Sequence, residues 1–236
     1  MSVMMECRGL TKKYGGLTAL NNVNLSLESG RIIGLLGPNG SGKTTMLKLA
    51  NGLIQPNSGE ILLAGHKPGP ETKELVSYLP DANYLMDWMN VNGLVEMFRD
   101  FYPDFNINKA YEMLANLGIP GDAPLKTLSK GTKEKVQLIL AMSREAKIYF
   151  LDEPIGGVDP AARDYILETI ISNYSEDALV VISTHLIADV EKMLDEAVLI
   201  NNGEVVLHRT VDDIRENEGK SVDEYFREVF RCLVSY

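Results

Sequence analysis

Gly37-Pro38-Asn39-Gly40-Ser41-Gly42-Lys43-Thr44 has the form Gly-x-x-x-x-Gly-Lys-Thr, a spacing suited to holding phosphate. The glycines allow torsions that turn successive N–H groups inward and let an anion approach with no Cβ in the way. A helix opening at Lys43 adds the positive end of its dipole. Lys43 would reach the β- and γ-phosphates of a nucleoside triphosphate, and the Thr44 hydroxyl would ligate Mg²⁺. Further on, Ile148-Tyr149-Phe150-Leu151-Asp152-Glu153 is a hydrophobic run ending in two carboxylates. At the C-terminal end of a parallel strand such acids face the ligand crevice. Asp152 would hold Mg²⁺ through water, and Glu153 would orient or deprotonate an attacking water. An acidic pair alone reads as a solvated turn; following a phosphate loop, it reads as catalytic. Ser129, in Leu128-Ser129-Lys130-Gly131-Thr132, is either a plain helix N-cap or, with the Gly131 N–H, a phosphate contact at a helix N-terminus.

Elements that would position these groups follow from the pattern. Short β-branched runs predict strands over residues 4–10, 20–27, 31–36, 60–63, 75–79, 148–151, 179–183, 197–200 and 204–207. Helical periods predict helices over 43–51, 91–101, 108–117, 132–144, 161–173 and 187–194. The runs at 32–36, 148–151 and 179–183 read as strands covered on both faces, as in a parallel sheet between helices. Residues 83–144 show helical patterns and no convincing strand, which predicts a helical insertion. Val222, Tyr225, Phe226, Val229, Phe230 and Leu233 fall on one helical face, predicting an amphipathic helix that either packs on its own domain or makes a partner or dimer contact.

Composition narrows the class. The 236 residues include 23 Lys+Arg and 33 Asp+Glu, a net charge of −10. Duplex and membrane-surface binders show a basic surplus, so nucleic acid is disfavoured as the main partner. Cys7 and Cys232 form no metal-spaced cluster, and a reducing compartment is the simpler reading. The first residues carry no recognisable signal peptide, and the apolar runs are strand-sized, far short of a spanning helix.

Residues 37–44, 128–132, Asp152-Glu153, Val158-Asp159 and His185 stand in the order and approximate spacing of the nucleotide-binding domain of an ATP-binding cassette (ABC) transporter, which the chain resembles over nearly its whole length. The resemblance implies an α/β fold of the phosphate-loop NTPase (RecA-like) kind. Its mostly parallel sheet would carry an N-terminal antiparallel β subdomain, with residues 1–82 and 145–236 as core and 83–144 as inserted signature subdomain. It implies Mg²⁺-dependent ATP hydrolysis in a head-to-tail dimer holding two ATP molecules. Tyr14 would stack on adenine, and Gly37, Pro38, Asn39, Gly40, Ser41, Gly42, Lys43, Thr44 and Thr45 would cradle the phosphates. Ser129 and Gly131 would complete the partner copy's site. Glu153 would be the general base, His185 would touch the γ-phosphate, and Asp159 would link the two sites besides N-capping a helix.

Asp81 stands where the family usually has Gln, so it is expected to ligate Mg²⁺ beside Thr44 and Asp152. Leu-Ser-Lys-Gly-Thr replaces the family's Leu-Ser-Gly-Gly-Gln, losing a capping box but keeping the Ser and second Gly. The implied partners are a second copy or a paired ABC ATPase and a separate integral-membrane permease, placing the chain at the cytoplasmic face of the cell membrane, with export the expected direction. The segment from Asn83 to Met89, including Trp88, either packs within the helical subdomain or receives a permease helix, in which case substituting Trp88 uncouples transport from hydrolysis. Two other functions stay open: a soluble ABC ATPase acting on ribosomes or DNA, and a low-turnover nucleotide-dependent regulatory module.

Overall fold

The computed structural model describes residues 2–158 and 160–234, with the backbone alone at 160–162 and 232–234. Strands are β1 (Val3–Tyr14), β2 (Leu17–Glu28), β3 (Arg31–Leu36), β4 (Ser58–Leu63), β5 (Val76–Leu79), β6 (Ile148–Asp152), β7 (Leu179–Thr184), β8 (Glu196–Asn201) and β9 (Glu204–Thr210). Helices are α1 (Lys43–Ala50), α2 (Pro70–Leu75), α3 (Val91–Phe101), α4 (Ile107–Asn116), α5 (Lys130–Met142), α6 (Pro160–Asn173), α7 (Ile187–Val190), α8 (Val211–Glu218) and α9 (Val222–Val234). A three-stranded antiparallel sheet has the order β2-β1-β4, and a six-stranded sheet has the order β5-β6-β7-β3-β8-β9. In the larger sheet only β9 runs antiparallel to its neighbour. The expected α/β class, with its N-terminal antiparallel sheet and mostly parallel core, is the observed fold.

Side-chain alternation along the central strands divides the core in two. Tyr149, Leu151, Val180 and Ile182 face one way, onto Leu94, Val95, Leu114, Val136 and Leu140 of the helical segment. Ile148, Phe150, Leu179 and Val181 face the other, onto Met46 and Leu47 of α1 and the small sheet's Leu10, Leu20 and Leu27. Every residue of β6 and β7 is buried, which is why both read as unbroken apolar runs and not as alternating ones.

Several boundaries differ from the sequence expectations. β1 and β2 extend to Tyr14 and from Leu17, past the apolar runs, because antiparallel pairing continues through polar residues to the Tyr14–Leu17 turn. Leu75 ends a helix and does not begin β5. Helices α2 and α8 were not expected; their only buried side chains are Thr72 in the first and Val211 and Ile214 in the second, too few to show a helical period. The helix expected over 187–194 divides into α7 and a 3₁₀ turn, Glu191–Met193. Helix α9 packs on its own domain: Val222 is buried, and Tyr225, Phe226, Val229 and Phe230 lie against the core.

The helical segment is fastened to the sheet by a residue with no sequence signature. Arg144 is 3% exposed; its guanidinium donates to both oxygens of Asp104 at 2.9 Å and to the carbonyls of Val76 (2.7 Å) and Glu74 (2.9 Å). It also stacks 4.0 Å from the Tyr102 ring centroid.

Candidate active site

Strand β3 lies between β7 and β8, so the loop that follows it opens beside the C-terminal ends of β6 and β7. This is the side of a parallel sheet where ligands bind. Residues 37–42 form that loop, and two glycines are dictated by close packing. A Cβ on Gly37 would stand 2.3 Å from the Ile200 carbonyl oxygen. Gly42 has φ +114°, and its Cβ would meet the Ala19 carbonyl at 2.6 Å. Gly42→Ala therefore costs both backbone strain and a clash, and should lower stability by about 1–3 kcal/mol and abolish stabilisation by nucleotide; urea unfolding with and without ATP measures both.

Lys43 is 5% exposed and opens α1. Its ammonium donates to the carbonyls of Gly37 (2.8 Å) and Pro38 (3.1 Å) and stands 3.8 Å from Glu153 Oε1. Burial holds its pKa below the usual lysine value, with Glu153 and Asp152 opposing that shift. The loop's cation thus joins the glycine turn to the acidic strand end. Ser41 Oγ is buried and has no hydrogen-bond partner, a state that calls for a ligand or water.

Asp152 is 1% exposed. Its Oδ1 accepts from Thr44 Oγ1 at 3.1 Å and from Ser183 Oγ, while Oδ2 is buried without a partner. Glu153 leaves the strand at φ +50°, a left-handed conformation rare for a side-chain-bearing residue and found where function over-determines the backbone. Its N–H donates to Ser183 O (2.9 Å), Thr184 Oγ1 donates to Oε2 (3.0 Å), and His185 Nδ1 lies 3.0 and 3.1 Å from the two carboxylate oxygens. Ser183 and Thr184 escaped the sequence reading. Their signal was a polar pair ending the apolar run of β7, on the strand beside β6, where register pairs Asp152 with Ser183.

The other expected residues fall on three surfaces. Asp81 is exposed and lines a small cleft with Glu134, Gln137, Asp152 and Glu153. Among the described residues no three of His, Cys, Asp and Glu gather as a metal cluster, so Asp81 borders Asp152 and Glu153 without forming a ready-made ligand set with them. Tyr14 is 46% exposed, at the tip of the small sheet. Ser129 is exposed and caps α5, accepting from the Thr132 N–H at 3.1 Å, with the Thr132 hydroxyl 2.8 Å away. A Cβ on Gly131 would meet nothing within 4 Å. Asp159 lies outside the described residues.

The donor set fits Mg²⁺, which favours hard oxygen ligands: a hydroxyl at Thr44 and an unpartnered, buried carboxylate oxygen at Asp152. Burial raises the Asp152 pKa, the Ser183 and Thr44 bonds oppose the rise, and the charges of Asp81 and Glu153 add to it. Because the folded pKa is raised, the unfolded chain releases its proton first, so stability falls as pH rises from the ordinary Asp value of 3.8 through the folded value. Asp152→Asn should therefore raise Tm of the nucleotide-free protein at pH 7. The gain should shrink toward acid, and the variant should lose the added Tm that Mg²⁺ gives with ATP. An unchanged or lower nucleotide-free Tm would count against an unfavourable buried charge.

The glycine loop, the acidic strand end and the His185 contact, on a sheet of this order, define a triphosphate-binding ATPase class. Residues 20–156 match the family model described as ABC transporter. The ABC transporter ATP-binding protein YtrB of Bacillus subtilis is 33% identical over 216 residues, covering 90% of this chain and 74% of that protein. The Nod factor export ATP-binding protein I of Ralstonia nicotianae is 30% identical over 85% of this chain and 65% of its own length. A solved structure of an ATP-binding subunit of an ABC transporter superposes with a TM-score of 0.86 at 28% identity, covering 96% of this chain and 99% of that one. The chain belongs to the ABC transporter family. Within it, the chain is an ATP-binding, ATP-hydrolysing subunit, and among its described residues no helix is long and apolar enough to cross a membrane.

Proposed function

We propose that two copies of this chain, or one copy and a paired ABC ATPase, close head to tail on two ATP molecules and drive a separate integral-membrane permease from its cytoplasmic face. The observation that carries this reading is Lys43, which contacts the glycine-loop carbonyls and stands 3.8 Å from Glu153. A phosphate entering the loop would share that cation with the acid that must handle water. In this reading Gly37, Pro38, Asn39, Gly40, Ser41, Gly42 and Thr45 surround the phosphates, and Ser41 Oγ gains its missing partner. Tyr14, at the exposed sheet tip, stacks on adenine. Thr44 and Asp152 hold Mg²⁺, and Asp81 approaches from the cleft as a third oxygen ligand. Mg²⁺, when bound, neutralises and polarises the phosphate oxygens.

Glu153 takes a proton from water, and His185, oriented by its contact with the Glu153 carboxylate, faces the γ-phosphate. The exposed Ser129 and the half-buried Gly131, at the open end of α5, complete the site of the other copy, and Asp159 links the two sites. Residues 83–144 act as the signature subdomain against a core of 1–82 and 145–236. The name of the Nod factor export relative supports export. The Glu153–His185 pairing favours an active ATPase over a low-turnover module.

Size-exclusion chromatography tests the sandwich. Glu153→Gln with MgATP should elute as a dimer. Adding Ser129→Arg should cut dimer formation by at least about tenfold, ~1.4 kcal/mol, while ATP binding to the monomer persists. A dimer indifferent to Ser129 would remove the head-to-tail arrangement. For the metal, Asp81→Asn should shift the Mg²⁺ dependence of ATPase rate upward by about tenfold; identical curves would remove Asp81 as a ligand.

Of the segment Asn83–Met89, Leu85 is buried and Met89 packs against the core. Trp88 is 79% exposed, and it is Tyr84 that lines an adjoining cavity of about 540 Å³ with Leu53, Phe98, Phe101 and Tyr102. We assign permease docking to that cavity. Trp88→Ala should leave stability within about 0.5 kcal/mol, measured by urea unfolding.

A further inference from the structure

Glu153 and His185 begin the two loops that leave the adjacent strands β6 and β7. At their base the loops are joined by the bonds from Thr184 Oγ1 and from the Glu153 N–H. Farther out, the Glu153 loop closes on itself: the Gly156 N–H donates to Glu153 O at 2.9 Å, Gly157 has φ +75°, and the chain runs on to the buried Val158. The His185 loop enters α7, a single turn of 4 residues that buries Ile187 and Val190. One turn is too short to hold a helical conformation by its own hydrogen bonds. His185 is exposed, so packing does little to fix its ring, and its orientation depends on what fixes the loop.

Arg163, in the first turn of α6, reaches both loops. Its Nε donates to the Val158 carbonyl at 3.2 Å, and its Nη1 donates to Oδ2 of Asp189, in α7, at 2.7 Å. Both side chains of the ion pair are half-buried. A cation in the first turn of a helix opposes the helix dipole, and an ion pair this exposed adds little to global stability. Neither accounts for an arginine at this position. A planar fork does, because it holds a carbonyl and a carboxylate at a fixed separation.

We propose that Arg163 is a positioning residue for ATP hydrolysis. By bonding Val158 O and Asp189 together, it keeps the two loops at the separation at which His185 Nδ1 meets the Glu153 carboxylate. Arg163 acts through those two side chains, and a displacement of about 1 Å in such a constellation costs on the order of 10²-fold in rate. This assignment rests on the roles given above to Glu153 and His185 and adds the residue that holds them in register.

The test is single-turnover ATP hydrolysis by the full chain, measured beside ATP affinity and Tm. Arg163→Met should lower the rate at least about tenfold, with ATP affinity kept within about twofold and Tm within about 4 °C. Asp189→Asn keeps an acceptor oxygen and should lose less. The two substitutions together should lose no more than Arg163→Met alone, since they break one link. A further readout separates positioning from a plain structural fault. Added to Glu153→Gln, Arg163→Met should lower the rate by less than about twofold more, because the group it positions is already gone. A wild-type rate in Arg163→Met overturns the proposal, and so do losses that multiply in the Glu153→Gln background. Activity lost in step with folded protein in both Arg163→Met and Asp189→Asn overturns it as well. If Glu153→Gln alone keeps more than about a tenth of the rate, the role of Glu153 falls first, and the positioning role falls with it.

Discussion

Glu153→Gln lowers ATP turnover by about 10²–10⁴-fold, the contribution expected of a positioned general base, while the protein still binds and is stabilised by ATP. The substitution is nearly isosteric. The Gln carbonyl can keep the hydrogen bond from Thr184 Oγ1, and the residue keeps its N–H bond to Ser183 O. What is lost is the carboxylate that holds His185 Nδ1 and faces Lys43. Single-turnover kinetics should show the loss in the chemical step with little change in nucleotide affinity. Thermal stabilisation by MgATP should equal or exceed the wild type's, since the ligand is no longer consumed. A variant retaining more than about a tenth of the turnover, ~1.4 kcal/mol in barrier, would move the base to another residue.

Arg144→Met destabilises the chain by about 3 kcal/mol, because removing a buried arginine strands the half-buried Asp104 and the carbonyls it served. Asp104 loses its three guanidinium bonds, and the carbonyls of Val76 and Glu74 lose their donors. At about 2–4 °C per kcal/mol for this size, Tm should fall by at least about 6 °C. Arg144→Lys should recover little, since an ammonium cannot reproduce the planar fork that serves a carboxylate and two carbonyls together. A double-mutant cycle with Asp104→Asn should show strong coupling. A loss below about 1 kcal/mol would mean that the helical segment is held by apolar packing alone.

The elements that were legible in the sequence were those whose local pattern and tertiary role coincide. Helix α3 was expected over 91–101 and occupies Val91–Phe101, since Asn90 caps it through the Gly93 N–H and its apolar positions face the core. Strand β3 was likewise placed from its apolar run alone. Helices α2 and α8 were not, because each buries too little to impose a period. Between the two expectations for Asn83–Met89, the backbone decides against packing for Trp88, which stays 79% exposed, while Tyr84 of the same segment lines the cavity.

The chain's order of residues by itself determined the chemistry available: a glycine loop opening on Lys43 and Thr44, an apolar strand ending in Asp152 and Glu153, and the Ser129 and His185 motifs around them. Those are local, because torsional freedom, hydrogen-bonding type and strand-end position are properties of short segments. Only the tertiary structure decided that Lys43 meets Glu153, that Ser183 and Thr184 hold the two acids, that Asp81 borders the cleft, and that Arg144 joins the helical segment to β5. Each of these depends on strand order and register, which bring together residues from distant parts of the chain, and no periodicity within one segment encodes which strand will lie beside it.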